Sequence, residues 1–380
     1  MAEDSSMQRR KFLYSAATAS VVGLAGCGGG DGGGGDGGSD GGDGGDGGSD
    51  GGDGGGETTS GDGGDGGGDQ QYSLRVGTSA GGTRDVGLAV ERAVSQHSDS
   101  LDYSTIESPG YIGTIYRMAQ GQFNGGITDN NSLLKAIEDR GRFSEQSVDR
   151  IPYYGFYAFP YSIYIVARDG TGIETFDDLA GANVYPAEPG YSTRATTLDV
   201  WSQEPTQGVY EEMNIQNMGV DSAPGALEEG QIDAAIAYGT PGVRYTGWVR
   251  EYSSRVDVHY VEPTDALIES AESYGGAGAS RTDYSEWGMG QDIGTDEVFH
   301  WDLQVNYTFN PEATNGAVYE LCRVVDEHNE TVNEGEAQFN DFESTSEMLA
   351  SARQNIPVHP GAVQYYKDND AWDDSLQEGE

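Results

Sequence analysis

The chain has 380 residues and carries 64 acidic against 20 basic residues, a formal net charge of −44. Only three of the basic residues are lysines, namely Lys11, Lys135 and Lys367. This charge argues against nucleic acid and anionic lipid headgroups as partners of the surface. An acidic, lysine-poor surface is typical of halophilic proteins, because concentrated salt screens the repulsion between carboxylates.

Residues 1–26 are predicted to form an export signal rather than a transmembrane helix. The paired arginines Arg9 and Arg10 precede an apolar stretch that is too short to span a bilayer. The letters "RRKFL" are typical of a twin-arginine signal, which exports proteins after folding. The letters "LAG" before Cys27 resemble a lipobox. We therefore expect Cys27 to be lipidated and to anchor the protein at the outer face of the cell membrane.

The segment 27–71 is predicted to be a disordered linker that begins at the lipidated cysteine. Between Gly28 and Gln71 it is mostly glycine, with 11 acidic residues and no basic residue. Such a composition cannot bury enough apolar surface to offset the entropy of ordering. A flexible chain of this length spans roughly 35–40 Å, so it would tether a folded body outside the membrane.

The remaining residues alternate predicted strands with predicted helices and are too many for one simple core, so we expect two lobes. The predicted strands are 72–79, 101–108, 125–129, 161–170, 182–187 and 232–239, and the predicted helices are 86–97, 111–121, 131–141, 174–181, 193–203 and 225–231. This repetition favours an α/β fold with parallel-rich sheets covered by helices. Cys322 lies on the apolar face of a further helical pattern and is expected to be buried.

Five turns follow predicted strands, at the sheet edge where open α/β sheets bind ligands. Each turn alone is typical of an ordinary helix cap, but five together are a stronger indication of a site. Their glycines let the main chain approach a ligand, and free N–H groups at the following helix ends favour an anion. The candidate ligand-binding residues are Gly81, Gly82, Thr83, Arg84, Ser108, Gly110, Tyr111, Asp129, Asn130, Gly190, Tyr191, Ser192, Thr193, Arg194 and Tyr238.

Two arginines are candidate partners for a substrate carboxylate. Arg194 opens a predicted helix, where its guanidinium and the N–H groups of Ser192 and Thr193 could hold the carboxylate together. A surface charge paired with one of the many acidic residues is the alternative. Arg84 is the second candidate, although it could equally pair with Asp85 on the surface.

No sequence motif predicts catalysis, a metal site or a cofactor. The spacings of zinc proteases, serine hydrolases and zinc-binding cysteine pairs are all missing. His359 lies between two prolines in "IPVHPGA" and is expected to be a structural turn residue. Asn130, Asn306 and Asn329 begin N-x-S/T sequons, which leaves surface glycosylation open, although Asn130 would more naturally face a cleft.

Residues 72–370 resemble the TAXI-type solute-binding subunits of TRAP transporters, in a lipid-anchored form of the haloarchaeal type. The resemblance rests on "VGTSAGGT", "SPGYIG", "GIETFDDLAGANVYPAEPGYSTRAT", "LEEGQIDAAIAYGTPG" and "IPVHPGAVQYYKD", of which "HPGAVQYY" is the most specific part. It implies a type II periplasmic-binding-protein-like fold with two lobes, a hinge and a cleft between the lobes. The predicted lobes are 72–165 with 262–380, and 166–261.

The resemblance implies a function in transport and no enzymatic activity. The protein would capture a small organic anion, a dicarboxylate or an acidic amino acid, and deliver it to a TRAP permease driven by an ion gradient. One alternative is the substrate-binding protein of an ATP-driven importer or a sensor. A lipid-anchored surface hydrolase is a more distant one. The turn at Arg84 and the turn at 108–111 depart from the family pattern. The resemblance therefore does not imply the family's aromatic packing on the ligand for this chain.

Overall fold

The computed structural model describes residues 71–380 of the chain. The predicted export signal at 1–26, the predicted lipid anchor at Cys27 and the predicted linker up to residue 70 therefore lie outside the described residues. None of the described helices combines the length and the apolar character needed to cross a membrane.

Eleven strands of the described part join in one sheet. They are β1 (Tyr72–Thr78), β2 (Leu101–Glu107), β3 (Gly125–Asp129), β4 (Tyr153–Arg168), β5 (Asn183–Tyr185), β6 (Asn214–Ile215), β7 (Ala234–Thr240), β8 (Arg244–Tyr245), β9 (Val258–Tyr260), β10 (Gly278–Asp283) and β11 (Glu297–Phe309). Their order across the sheet is β2-β1-β3-β11-β4-β7-β5-β6, with β10 beside β11, β8 beside β7 and β9 beside β4.

Helices connect these strands. They are α1 (Gly82–His97), α2 (Gly110–Ala119), α3 (Asn130–Ile137), α4 (Ser192–Trp201), α5 (Glu204–Glu212), α6 (Ala223–Glu228), α7 (Gly247–Ser253), α8 (Asp265–Ser273), α9 (Asn315–Glu327), α10 (Asn329–Gly335) and α11 (Pro360–Asp368). Short 3₁₀ turns occur at Gly141–Ser144, Phe176–Leu179, Tyr284–Glu286 and Thr345–Leu349. The first helix shows why the pattern folds as it does, because Val86, Ala89, Val90, Ala93 and Val94 form one buried stripe with helical spacing.

Two long strands, β11 and β4, lie at the centre of the sheet. They join one half, which contains β1, β2 and β3, to the other half, which contains β5, β6 and β7. Strands β4 and β11 pair antiparallel from Tyr153 opposite Phe309 to Ile163 opposite Trp301. Near its carboxyl end β11 also pairs with β3, and near its own carboxyl end β4 pairs with β7. Each of the two strands thus takes part in both halves. The predicted lobe boundary at residue 165 falls inside β4 and stays a prediction.

The predicted α/β class is confirmed, but the sheet is mixed rather than parallel-rich. Parallel pairs occur at β1–β2, β1–β3, β5–β6 and β5–β7. The centre is antiparallel, because β11 runs against both β3 and β4, and β4 runs against β7. The prediction erred here since it was built on βαβ repeats, whereas β11 returns to the sheet from the carboxyl-terminal part of the chain.

The predicted elements before residue 240 are present in the structure with shifted ends, except that the predicted helix 174–181 is only a 3₁₀ turn at Phe176–Leu179. The predictions did not include α5, the amino-terminal part of β4 from Tyr153, or most elements after β7, including β11. The helical pattern around Cys322 is α9, and its thiol is buried, as expected. Burial raises the pKa of the Cys322 thiol, which keeps it protonated and unreactive.

Candidate ligand-binding site

A cavity of about 360 Å³ lies where the carboxyl ends of strands from both halves of the sheet meet. We call it the hydroxyl cavity, because nine of its thirteen lining residues carry a hydroxyl group. The lining residues are Ser79, Ala80, Thr83, Gly110, Tyr111, Tyr161, Gly190, Tyr191, Ser192, Thr193, Tyr238, Thr246 and Leu303. Its size suits a small organic ligand.

Three helices begin at the wall of the hydroxyl cavity. Residues of the first turns of α1, α2 and α4 line it, including Thr83, Tyr111 and Thr193. At all three helices the residue before the first turn makes no side-chain capping hydrogen bond. An uncapped helix N-terminus presents main-chain N–H donors and a partial positive charge, so three of them at one cavity favour an anion.

Two glycines shape the main chain at this point. Gly110 has φ +79° and Gly190 has φ +101°, values that side chains with a Cβ atom rarely adopt. No atom lies within 4 Å of a Cβ placed on either residue. The backbone conformation, and not crowding, therefore requires glycine here, and it leaves the starts of α2 and α4 open towards the cavity.

Tyrosine rings and hydroxyls form much of the wall. The hydroxyl of Tyr111 lies 2.9 Å from Thr83 Oγ1, and the rings of Tyr161 and Tyr238 meet edge to face at 5.9 Å between centroids. Burial raises the pKa of Tyr111, Tyr161 and Tyr238 above the ordinary tyrosine value. The three hydroxyls therefore remain protonated at physiological pH and are available as hydrogen-bond donors.

Two threonine hydroxyls of the lining lie beside the hydroxyl of Tyr238. They are Oγ1 of Thr193 and Oγ1 of Thr246, and both atoms are inaccessible to solvent. Thr193 is 5 % exposed. Because solvent reaches neither oxygen, both hydroxyls support Tyr238 in the wall and do not themselves face the cavity.

A second cavity of about 510 Å³ adjoins the first and shares Gly110, Tyr111, Gly190, Tyr191 and Ser192 with it. We call it the charged cavity. Its other lining residues are Pro109, Ile112, Asp129, Asn131, Ser132, Lys135, Arg142, Pro189, Arg194, Ala195 and Leu198. Ionic groups thus lie on one side of the shared wall, and neutral hydroxyls lie on the other.

Most ionic groups of the charged cavity already have partners. Lys135 forms an ion pair with Asp199 at 2.5 Å, and the Asp129 carboxylate accepts hydrogen bonds from the N–H and the hydroxyl of Ser132. Burial raises the pKa of Asp129, while those hydrogen bonds and Lys135 lower it. Asp129 therefore caps α3 rather than facing the hydroxyl cavity, which corrects its expected position.

The structure gives Arg194 a structural role. Its guanidinium donates to the carbonyl oxygens of Ala187 at 2.7 Å and Gln216 at 3.2 Å, and to Asn217 Oδ1 at 2.6 Å. The side chain is buried and lines the charged cavity, not the hydroxyl cavity. These contacts tie the turn before α4 to the segment after β6. A substrate carboxylate would have to displace these partners, so the structure does not support Arg194 as its binding residue.

Arg84 is also directed elsewhere, since it pairs with Glu107 at 3.2 Å on the exposed surface and not with Asp85. Gly81 precedes α1 with φ +79°, and a Cβ on Gly82 would lie 2.5 Å from Gln338 Oε1. Ser108 is buried and accepts a hydrogen bond from Thr114. Gly81, Gly82, Arg84 and Ser108 line neither cavity, which corrects their expected positions.

Asn130 lies in what we call the amide network, formed by Asn130, Gln304, Asn306 and Ser351. The Asn130 amide donates to Gln304 Oε1 at 3.0 Å and to the Ser351 carbonyl at 2.9 Å, and it accepts from Asn306 at 2.8 Å. All four residues are at most 8 % exposed. Asn130 is therefore a core residue, which corrects the expectation that it faces the cleft.

The sequons are buried as well. Asn130 and Asn306 are fully buried and Asn329 is 7 % exposed, so none of them presents its amide for glycosylation on the folded protein. His359 is a structural residue, as expected, because its Nδ1 accepts the Gly361 N–H and caps α11.

Eight of the fifteen predicted residues line the hydroxyl cavity. They are Thr83, Gly110, Tyr111, Gly190, Tyr191, Ser192, Thr193 and Tyr238. The five lining residues that sequence reasoning did not find are Ser79, Ala80, Tyr161, Thr246 and Leu303. Ser79 could have been predicted, because it lies in the same glycine turn as Thr83. Leu303 could not have been predicted, because it comes to the site from β11, far along the chain.

The described residues contain no group of three or more His, Cys, Asp or Glu side chains that could hold a metal ion.

Among solved structures, the chain is similar to the periplasmic aliphatic sulphonate binding protein SsuA from Escherichia coli, with 12% identity, 79% of this chain and 91% of that chain covered, and a TM-score of 0.41. It is also similar to a putative L-cystine ABC transporter protein from Listeria monocytogenes, with 11% identity, 71% and 98% covered, and a TM-score of 0.40.

A third similar structure is an ancestral arginine-binding protein bound to arginine, with 14% identity, 71% of this chain and 100% of that chain covered, and a TM-score of 0.37. One protein family matches most of the chain. Residues 76–369, which include both cavities and every strand from the middle of β1 onwards, match the NMT1-like family. The chain therefore belongs to the NMT1-like family.

Proposed function

We propose that this protein is an extracytoplasmic solute-binding protein that captures a small organic anion for a membrane importer. The observation that carries the proposal is the meeting of three uncapped helix N-termini at one cavity. Their main-chain N–H groups would bind the anionic group without any basic side chain. The tyrosine rings of the wall would pack against the body of the ligand.

Contacts between the two halves of the sheet support a site that opens and closes. On one side of the cavities, Lys135 of α3 pairs with Asp199 of α4. On another side, Arg244 of β8 pairs with Glu336 at 3.1 Å. We infer that the predicted lobes, 72–165 with 262–380 and 166–261, close over the ligand by bending of β4 and β11, and that a ligand touching both lobes favours closure.

The partner of this protein would be a membrane transporter, of one of two kinds. From its sequence motifs, a TRAP permease is the first candidate and an ATP-driven importer the second. Where the similar structures are named for a transport system, it is an ABC system, and the ATP-driven importer is accordingly the better supported of the two. Solute uptake in whole cells decides between them, because an ionophore would abolish TRAP transport directly, whereas ATP depletion at a maintained ion gradient would abolish only the other.

We further propose that the twin-arginine signal and Cys27 place the protein on the outer face of the cell membrane, in a salt-rich medium. Replacing Cys27 with serine is expected to release the folded protein into the medium. A Cys27→Ser protein that still sediments with membranes after a high-salt wash would contradict the anchor.

The hydrolase alternative would require turnover of esters, peptides or glycosides by the purified protein.

Binding itself is tested by thermal melting in molar potassium chloride with a panel of carboxylates and sulfonates. A ligand of the native state raises the melting temperature as its concentration exceeds Kd. Ala80 lines the cavity and is exposed, so Ala80→Trp would fill the entrance without disturbing the core. Leu88→Trp, on the exposed face of α1 at 45 % exposure, is the matched control.

We expect one ligand of the panel to shift the melting temperature of the wild type and of Leu88→Trp, and not that of Ala80→Trp. An equal shift in Ala80→Trp would place the ligand elsewhere. No shift by any organic anion at millimolar concentration would contradict the proposed function.

A further inference from the structure

We propose that a second solute site lies on the face of β11 opposite the hydroxyl cavity, and that it takes a zwitterion, a small molecule with both a carboxylate and an ammonium group. The proposal goes beyond the function proposed above and does not depend on it. It rests on a cavity of about 550 Å³ that we call the back cavity. Its lining residues are Glu272, Tyr274, Gly275, Ala277, Gly278, Ala279, Ser280, Asp302, Gln304, Ala350 and Arg353.

Strand β11 separates the back cavity from the hydroxyl cavity. Leu303 lines the hydroxyl cavity, whereas its neighbours Asp302 and Gln304 line the back cavity. Successive side chains of a strand point to opposite faces of the sheet, so the two cavities lie on opposite faces of β11. A ligand of the back cavity would therefore occupy a site of its own, separate from the one described above.

Asp302 supplies the negative group of the back cavity. The residue is 8 % exposed, and its Oδ1 lies 2.8 Å from Nδ1 of His300. Its Oδ2 has no hydrogen-bond partner within the described residues and lies 3.3 Å from the position that a Cβ on Gly278 would occupy. Glycine thus keeps the space beside Oδ2 open. A carboxylate that is withdrawn from water with one oxygen unpaired is suited to an ammonium group.

Arg353 supplies the positive group. Both hydrogen bonds that its guanidinium donates within the described residues use Nη2, and they go to the Ala277 carbonyl oxygen and to Gln304 Oε1. Neither acceptor is charged. The positive charge is therefore not neutralised by an ion pair within the described residues, and Nη1 and Nε are left for the two oxygens of a carboxylate.

The Gln304 amide holds the two charges apart. Its Oε1 accepts from Arg353, while its Nε2 lies 2.7 Å from the same Gly278 Cβ position that Asp302 Oδ2 adjoins. Buried charges are normally paired, but here the guanidinium and the carboxylate each contact other groups instead of one another. A ligand with a carboxylate at one end and an ammonium group at the other can satisfy both.

The other ionisable groups near the back cavity favour the same ligand class. Glu272 lines the cavity from an exposed position and adds a second negative charge. Burial raises the pKa of Tyr157, which lies near both buried charges, so its phenol stays neutral. Arg140 contacts Tyr274 but is paired with Glu138 and does not line the cavity. A simple anion would thus meet an excess of negative charge, and a simple cation would leave the guanidinium unpaired.

The experiment compares each amino acid with its two halves by calorimetry in molar potassium chloride. Alanine is compared with propionate and ethylamine, and leucine with isocaproate and isoamylamine. Each fragment lacks either the ammonium group or the carboxylate. We expect at least one amino acid to bind about 10-fold or more tightly than either of its fragments, because only the amino acid gains both charge-assisted contacts.

Three variants locate this binding. Asp302→Asn keeps an oxygen for His300 and removes the charge, so it should weaken amino-acid binding about 10-fold. Asp283→Asn, the same change at an exposed residue of β10 that does not line the cavity, is the matched control and should leave the affinity unchanged. Ser280→Trp would fill the cavity from its exposed rim and should abolish binding even if Asp302→Asn does not fold.

The hydroxyl cavity is the competing location for the amino acid. Ala80→Trp fills its entrance and should leave amino-acid binding unchanged. Binding that is lost in Ala80→Trp and kept in Ser280→Trp would overturn the inference and leave the proposed function standing. Amino acids that bind no more tightly than their fragments, or that do not bind at millimolar concentration, would also overturn it. The melting screen with carboxylates and sulfonates tests the proposed function separately.

Discussion

Buried polar side chains occur in two settings in this protein, and one of them is complete without a ligand. In the amide network, Asn130 and Asn306 bond to each other and to neighbouring groups. In the hydroxyl cavity, the hydroxyls of Thr193 and Thr246 lie behind that of Tyr238, and tyrosine and serine hydroxyls form the wall. Burial of a polar group therefore does not by itself mark a binding site, whereas a polar wall around a cavity favours one.

The largest expected effect lies in the amide network. Asn306→Leu would remove the donor to Asn130 Oδ1 and the acceptor of the Ser351 hydroxyl in the core between β11 and α3. We expect the free energy of unfolding to fall by about 4 kcal/mol, because two buried polar atoms each lose a hydrogen bond. Urea unfolding in molar salt measures it. A loss below about 1 kcal/mol would show that the network is dispensable and would remove the contrast between the two settings.

A smaller loss is expected for Arg194, which belongs with the partnered groups although it lines a cavity. Arg194→Ala would remove three hydrogen bonds that tie the turn before α4 to residues 216–217, and should cost about 3 kcal/mol of unfolding free energy. Arg142 lines the same cavity from an exposed position and is the matched control, with an expected change below about 0.5 kcal/mol. Equal melting of both variants would make Arg194 a free cation available to ligands.

His359 is an intermediate case, since its ring is fully buried, interacts with the main chain of Ala313 and lines neither cavity. Burial lowers the pKa of His359 to about 4, from an ordinary value of 6.5. The folded state therefore binds fewer protons than the unfolded state between these values, and stability should fall as the pH falls from about 6.5 to 4.

The expected loss over that range is about 2.5 kcal/mol of unfolding free energy. His359→Asn keeps a capping oxygen for the Gly361 N–H and does not titrate, so it should lack this part of the pH dependence. Parallel pH profiles of unfolding free energy for the two proteins would contradict the assignment.

The smallest effect is expected for Thr193→Val on the free protein. Removing Oγ1 while keeping the shape of the side chain loses only its contact with the Tyr238 hydroxyl, and should change the unfolding free energy by about 0.5–1 kcal/mol. Tyr238 lines the hydroxyl cavity, so the same variant is expected to weaken binding of the anion proposed for that cavity, and stability and affinity separate at this position. A loss above about 1.5 kcal/mol in the absence of ligand would move Thr193 to the partnered group.

Sequence reasoning found the starts of α1, α2 and α4 because their signals are local. A glycine turn after a strand and before a helical pattern is visible within about ten residues, as at Gly110 and Gly190. It failed for Arg194, because the side chain's role depends on the carbonyl oxygens of Ala187 and Gln216, which only the tertiary fold brings to it. The same reason explains Asn130, whose partner Gln304 is 174 residues away.

The centre of the sheet was harder to predict than its edges. Strand β4 contains Pro160, and a proline argues against a central strand because it lacks an N–H donor. Strand β11 carries a strand-like aromatic pattern, but nothing local indicates that it inserts between β3 and β4. Where a strand inserts is decided by long-range pairing, so an interpretation based on consecutive βαβ units assigned parallel neighbours.

The insertion of β11 also has a consequence for the order of folding. Strands β3 and β4 are made early, but the strand that pairs with both of them ends only at Phe309. Until that point of synthesis, both strands present open edges that could pair with other chains. Contacts of such sequence separation make folding slow, and they require a nearly complete chain. The native sheet can therefore form only after most of the chain has left the ribosome, and a chain truncated before β11 should aggregate rather than fold.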